Sequence, residues 1–418
     1  MNSGPSFDHN MRRLRAFVAV AQWRSVNRAS EHLHLTQPAV TRAVRSLENE
    51  LEVSLFDRSP RGMALTDYGR LVYERAKRAF DYLKLAEQEL ATATPSGDPR
   101  KKACGLVGKI ARRHMQAIVG IDEYQTETAA ALQMNLSQPA VTLALRDLER
   151  IVDAQLFVRT ARGMIATPYG DVMVRRAKLA MAELAAASDD IAAHVGIVRG
   201  RLVVGVLPLS GTLLAPTAIT LVNREHPHLR LSMLEGPYDS LLKGLRCGDV
   251  DVIVGALHHS PAPDVTQERL FDDQLSVVVR KGHPLTRRKS MSLADVADAE
   301  WVVPFKRTTW RNTLEKAMLS SGLDIPDSAI ETNTLTTVRA LLLESDRLSV
   351  LSRRQIQYDE RGGLLAVLPI DMSGTELPIG VATRADAKHS AGLGALLAHL
   401  RTLLSEPASS NGAKRAKG

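Results

Sequence analysis

Gln37, Thr41, Arg42 and Arg45 fall on one side of a helical period that opens behind Thr36, and Val40, Val44, Leu47 and Leu51 fall on the other. The apolar set therefore faces a core and the polar set faces out. An outward helix of this kind suits the edges of paired bases. Glutamine pairs with adenine, and arginine with guanine N7 and O6 or with a phosphate. Pro38 and Ala39 permit close approach, and Thr41 can touch a thymine methyl. Pro38 lies in the first turn, where its missing N–H costs nothing. Further on, Arg58 and Arg61 stand on a turn, RSPRGM, that can reach the backbone or the minor groove. The other reading of the same face is a protein–protein module with solvated arginines.

The same chemistry is written twice. LTQPAVTRAVRSLE at residues 35–48 returns 101 residues later as LSQPAVTLALRDLE. Residues 30–77 and 131–178 share 22 identities in 48 positions without a gap, so one domain is duplicated in tandem. The second copy supplies Ser137, Gln138, Pro139, Thr142, Arg146, Arg159 and Arg162 as candidate DNA contacts. Arg42 is replaced by Leu143, which as an exposed leucine favours protein contact. Copy two either reads DNA as copy one does or serves assembly. Pro168 replaces Asp67, a change compatible with the first turn of a helix.

Each copy must position its polar helix with others. Leu14, Phe17, Val18 and Ala21 line a first helix, Ser25 caps a short second one, His34 and Leu35 make a tight turn, and Thr36 caps the third. Two short helices, a turn and an arginine-bearing third helix make a helix-turn-helix. A long helix follows each wing, with Val72, Ala76, Phe80, Leu83, Ala86 and Leu90 in one and Ala177, Met181, Leu184, Ala187 and Ile191 in the other. Steps of three and four give a narrow seam suited to another helix, hence dimerisation; the alternative is packing on the same domain. Residues 92–102 form a Pro/Gly/Ser linker, and residues 1–10 and about 406–418 read as disordered.

Composition sets the class. The chain has 418 residues, 44% hydrophobic and 24% charged, as in ordinary globular proteins, with a net charge of +8 that mildly favours polyanions. Aromatics at 4% give no stacking platform for single strands. Two cysteines, Cys104 and Cys247, make neither a disulfide framework nor a zinc site. No apolar run is long enough for a membrane span and no signal segment opens the chain, so the expected location is the cytoplasm, and the nucleoid there if the polar helices bind DNA.

From Gly200 strands alternate with helices, which argues for parallel α/β units in two lobes, with crossings near residues 266–271 and 364–370. Ligands in such folds sit at the carboxyl ends of strands and at helix N-termini. Ser210, Tyr238, Lys306, Arg307 and Thr308 could hold a carboxylate and hydroxyls, although the serine and threonines also suit plain capping. An organic acid is the expected ligand, with a sugar or lactone close behind. No G-x-S-x-G, P-loop, G-x-G-x-x-G or H-E-x-x-H motif is present, and His258-His259 lies in a Pro-rich loop, so neither enzyme, metal nor cofactor is expected.

The run Thr36-Gln-Pro-Ala-Val-Thr-Arg, with Leu47-Glu48, Leu55-Phe56, Arg58, Arg61 and Leu65-Thr66, resembles the LysR-type transcriptional regulators of bacteria, of the kind with a duplicated N-terminal domain. The resemblance implies a multidomain chain. Two all-α winged helix-turn-helix domains with long linker helices would precede an α/β, two-lobed effector domain built like a periplasmic binding protein. The expected boundaries are 11–69 and 112–170 for the winged domains, 70–102 and 171–196 for the linker helices, 197–265 with 371–405 for lobe I, 266–370 for lobe II and 406–418 for the tail. Ser210, Gly211, Thr212, Pro237, Tyr238, Phe305, Lys306, Arg307 and Thr308 fall at the loops where the resemblance places the effector. The implied partners are double-stranded promoter DNA, a small-molecule effector, a second copy of the chain through the linker helices, and RNA polymerase.

Overall fold

Leu14, Phe17 and Val20 bury one face of α1 (Met11–Trp23), against which α2 (Val26–Leu33) and α3 (Gln37–Leu51) pack. The computed structural model describes residues 10–59, 62–93, 105–208 and 214–405, in two compact units that divide at Gly200. The tail at 406–418, the start of the chain and most of the linker lie outside the described residues. The expected turn is present. His34 takes φ +53°, and the Leu35 N–H returns to the Ser30 carbonyl at 2.9 Å. Ser25 caps α2 through the Arg28 N–H. Thr36 holds the N-cap position of α3, but its hydroxyl makes no cap bond, contrary to expectation. Pro38 removes one N–H a cap would take, and the next, on Ala39, goes to the Thr36 carbonyl at 3.0 Å.

The wing is the hairpin β1 (Phe56–Ser59) with β2 (Gly62–Leu65), and the long α4 (Asp67–Ala93) follows. Two side chains join these parts. Glu48 accepts the Leu55 N–H at 2.9 Å, and Thr66 accepts the Gly69 N–H at 2.9 Å while donating to the Ser54 carbonyl at 2.7 Å. Gly62 has φ +113°, and a Cβ there would meet the Arg24 carbonyl at 2.8 Å, so only glycine lets the wing rest on the end of α1.

Copy two repeats the plan after a short α5 (Leu106–Lys109): α6 (Arg112–Tyr124), α7 (Glu127–Gln133), α8 (Gln138–Val152), β3 (Phe157–Thr160), β4 (Gly163–Ala166) and α9 (Pro168–His194). Asn135, Glu149, Gly163 and Thr167 stand where His34, Glu48, Gly62 and Thr66 stand, with matching bonds. One apolar core runs through both copies.

The long helices lie antiparallel against each other. Val72, Ala76, Ala79, Leu83 and Ala86 of α4, and their counterparts Met173, Ala177, Ala180, Leu184 and Ala187 of α9, are all buried. Alanines let the backbones approach, and charge sets the register. Arg75 of α4 bonds Glu183 and Asp190 of α9, both at 2.8 Å, and Arg78 bonds Glu183 at 2.9 Å. Glu89 of α4 takes Arg176 and, at 2.6 Å, Arg175. The seam read from the sequence therefore finds its partner within the chain, in the other copy.

The second unit holds β5 (Gly200–Val206), α10 (Leu214–Glu225), β6 (Leu229–Glu235), α11 (Tyr238–Cys247), β7 (Val252–Ala256), β8 (Val265–Arg280), β9 (Trp301–Val303), α12 (Thr309–Ser320), β10 (Ile330–Glu331), α13 (Leu335–Leu343), β11 (Leu348–Ser352), α14 (Gln357–Arg361), β12 (Leu365–Val367), β13 (Glu376–Arg384) and α15 (Ala391–Ser405). Strand β8 belongs to both lobes: up to Gln274 it pairs with β13, and from Leu275 with β11 and β12. Lobe I runs β6-β5-β7-β13-β8 and lobe II β10-β9-β11-β8. The second crossing expected at 364–370 lies later, because Leu365–Val367 still pairs with β8 and Ile370 bridges Met291. Where β8 changes partners, Asp273 is buried, and burial pushes its carboxyl above the ordinary value of 3.8 despite a hydrogen bond from Ser352 and the Arg354 charge.

Two consequences are measurable. Arg75→Ala removes the buried guanidinium that bridges Glu183 and Asp190 and should cost about 3–5 kcal/mol; hydrogen exchange of α4 and α9 in the full chain should speed up accordingly. At the hinge, ionised Asp273 is the costlier form in the fold, so its contribution falls as pH rises from 3.8 through the raised value. Asp273→Asn should flatten that acid-side slope in the fluorescence of Trp301 and Trp310, both buried in this unit.

Candidate nucleic-acid interface and effector loops

On α3 the side chains of Thr36, Gln37, Pro38, Arg42 and Arg45 are exposed, and Thr41 is half-buried. Arg42 and Arg45 have no ion-pair partner among the described residues, so their charges are free for an incoming anion. With no cap bond on Thr36, its hydroxyl and the Gln37 N–H at the start of α3 add a second anion-seeking group. Gln37 donates its amide to Asn27 of α2 at 2.5 Å, which orients it. Sequence spacing missed Asn27 because it lies on another helix. Arg58 lies on β1 opposite Met63, and Arg61 lies outside the described residues.

Copy two presents a different face. Ser137, Gln138, Pro139 and Arg146 are exposed like their counterparts, and Ser137 also lacks a cap bond. Leu143 is 59% exposed, as its replacement of Arg42 predicts. The Thr142 hydroxyl is closed off from solvent, which removes it from any contact surface in this conformation. Arg159 is tied to Glu127 at 3.2 Å, whereas copy one has Val26 at that position; Arg162 stays exposed.

In the second unit Tyr238 opens α11 behind the exposed Pro237. Its ring stacks on the exposed His258 with centroids 4.6 Å apart, which joins the start of α11 to the loop after β7. Burial, with the Asp239 carboxylate, pushes the Tyr238 hydroxyl above the usual tyrosine range and keeps it a neutral donor. Phe305, Lys306 and Arg307 are exposed on the loop before α12, and Thr308 caps that helix through the Arg311 N–H at 3.2 Å. Asn333 accepts the Phe305 N–H at 2.9 Å. Buried Arg311 braces the loop at the Pro304 carbonyl and Glu331. An arginine beside Trp310 and Leu314 in a helix was the available signal for that brace. Arg307 takes φ +68°. Ser210, Gly211 and Thr212 lie outside the described residues. No group of three or more potential metal ligands occurs among the described residues. No described helix is long and apolar enough to cross a membrane.

The comparisons agree with this architecture. The model for the bacterial regulatory helix-turn-helix protein, lysR family, matches twice, at residues 11–70 and 112–171. The LysR substrate binding domain matches residues 196–405. The HTH-type transcriptional regulator GalR of Pseudomonas putida is 36% identical over 400 residues, covering 96% of this chain and 98% of its own, so the likeness crosses both copies. PcaQ of Agrobacterium fabrum is 29% identical over 302 residues, 71% of this chain but 96% of its own. A full-length OxyR variant from Pseudomonas aeruginosa, 22% identical, covers 69% of this chain and 97% of its own at a TM-score of 0.56, which supports the fold. Regulators of this family bind promoter DNA and small-molecule effectors and form oligomers. The chain belongs to the LysR family: it is a ligand-responsive transcription regulator, not an enzyme, with DNA-binding helix-turn-helix domains ahead of an effector-binding domain.

Proposed function

We propose that promoter duplex is read mainly by copy one. Gln37, Thr41, Arg42 and Arg45 meet base edges or phosphates in the major groove, Thr36 and Pro38 set the approach, and wing residues Arg58 and Arg61 take the backbone. Ser137, Gln138, Pro139, Arg146, Arg159 and Arg162 form the second, less charged reader. The observation that carries this reading is the pair of unpartnered arginines on α3 beside an N-cap hydroxyl with no cap bond. The effector is an organic anion held at the loops of Tyr238 and of Phe305–Thr308, where Lys306 and Arg307 are exposed cations flanked by neutral donors. Its binding biases the relative population of the lobes, with β8 and the return into β13 as the hinge. The chain enters this domain a few residues after the end of α9, which gives the signal a covalent route into the DNA-reading half.

Arg42→Ala with Arg45→Ala should weaken binding to the native upstream promoter duplex about tenfold or more and lower the log–log salt slope by about 2, with melting unchanged. Unchanged affinity would remove α3 from the interface. For the effector, Arg307→Gly relieves a left-handed backbone worth roughly 1–2 kcal/mol while removing the cation. It should melt above Arg307→Ala, and both should lose the thermal shift that organic acids give the parent chain. A parent that shifts with neutral sugars alone would replace the anion by a sugar.

A further inference from the structure

The two helix-turn-helix copies form an internal pair with near two-fold symmetry. Arg75 reaches Asp190, and its counterpart Arg176 reaches Glu89, the counterpart of Asp190. Such reciprocal contacts mark an isologous interface, here built within one polypeptide. The middle of the seam has diverged. Glu183 receives Arg75 and Arg78, whereas its counterpart Tyr82 receives Arg176 over its ring at 6.0 Å, and Leu179 stands where copy one has Arg78. Pairing copy one with another copy one would keep a Glu89 for Arg75 but put Tyr82, not a carboxylate, where Glu183 receives both Arg75 and Arg78. Pairing copy two with copy two would bring two Glu183 carboxylates together at the axis. The seam therefore favours unlike partners.

The chain also docks copy two on its own copy one directly after the linker. The Gly105 N–H bonds Glu87 of α4 at 2.6 Å, Leu106 and Ile110 are buried, and Arg15 of α1 bonds the carbonyls of Val107, at 2.5 Å, and Gly108. The outward faces have diverged as well. From Ser25 to Arg45 copy one carries Arg28, Arg42 and Arg45 with Glu31, while from Thr126 to Arg146 copy two carries Arg146 with Glu127. Gln37 and Gln138 are common to both, but a guanidinium at Arg42 faces a different base from the isobutyl group of Leu143, which suits a thymine methyl.

We propose that one chain by itself fills an operator of two unlike half-sites, copy one on one half and copy two on the other, with no second chain in the reading pair. The proposal rests on the DNA-reading assignment above. Its test uses the full chain to recover a duplex from a randomised pool, and that duplex becomes the probe. The recovered site is expected to be non-palindromic. Arg42→Ala with Arg45→Ala should erase sequence preference at one half, and Gln138→Ala with Arg146→Ala at the other, each weakening binding about tenfold. When the two double variants are co-expressed, every internal pair still has one disabled reader, so binding to a duplex with a single site should stay weak. Recovery of parent affinity on co-expression would mean that reading pairs form between chains and would overturn the proposal. A palindromic site, both halves of which respond to the same double change, would overturn it too. Loss of neither preference would bring down the DNA-reading assignment itself. Arg42, Arg45, Gln138 and Arg146 are all exposed, and unchanged melting of each variant confirms that folding is not the cause.

Discussion

Arg75 is the constraint from which the N-terminal unit follows. Its side chain is 3% exposed, and both carboxylates that hold it belong to the other copy. A buried charge stripped of its partner costs about 3–5 kcal/mol. Helix α4 therefore keeps its alanine-rich seam dry only when α9 lies antiparallel at this one register. A slip by a turn would part Arg75 from Asp190 and Arg176 from Glu89 together. Each long helix is in turn clamped to its wing and recognition helix by Thr66 and Glu48, or by Thr167 and Glu149. A rigid path thus connects the buried ion pairs to the exposed arginines of α3.

Much of this was legible in the residues. The 101-residue repeat exposed the duplication, and the periodic Val40, Val44 and Leu47 oriented α3 correctly. His34 and Leu35 showed the turn because a polar residue can take the left-handed conformation there. The partner of the long helices was not legible. A seam of the same alanines and leucines in both copies says that a helix is paired but not with which one. The decisive difference, Arg78 and Tyr82 against Leu179 and Glu183, acquires meaning only once an antiparallel register sets those positions across from one another.

The first crossing was legible in place, near residues 266–271, but not in form. Thr266–Asp273 is polar and broken by charges, yet it is continuous strand because β13 pairs along it, with one register shift between Ile379 and Gly380. Backbone pairing can hold a segment whose side chains give little sign of burial. The effector loops were legible by type, since a threonine before a helix and adjacent cations are local features. The stacking of His258 on Tyr238 joins residues from two different loops and has no local signature.

Duplication inside one chain changes what the copies are free to become. In a pair of identical chains, any change on the DNA face is made twice, so the two half-sites must stay alike. Here the seam and core preserve the pair, while the faces vary independently: Arg42 against Leu143, Arg28 against Ala129, Val26 against Glu127. Covalent linkage makes the second contact intramolecular, with an effective concentration in the millimolar range, roughly, for short linkers. A weak reader then suffices at one position. The more basic copy one can supply most of the salt-dependent attraction to phosphate, and copy two, in which Arg159, one of its two wing arginines, is already paired with Glu127, can contribute discrimination with less added non-specific affinity.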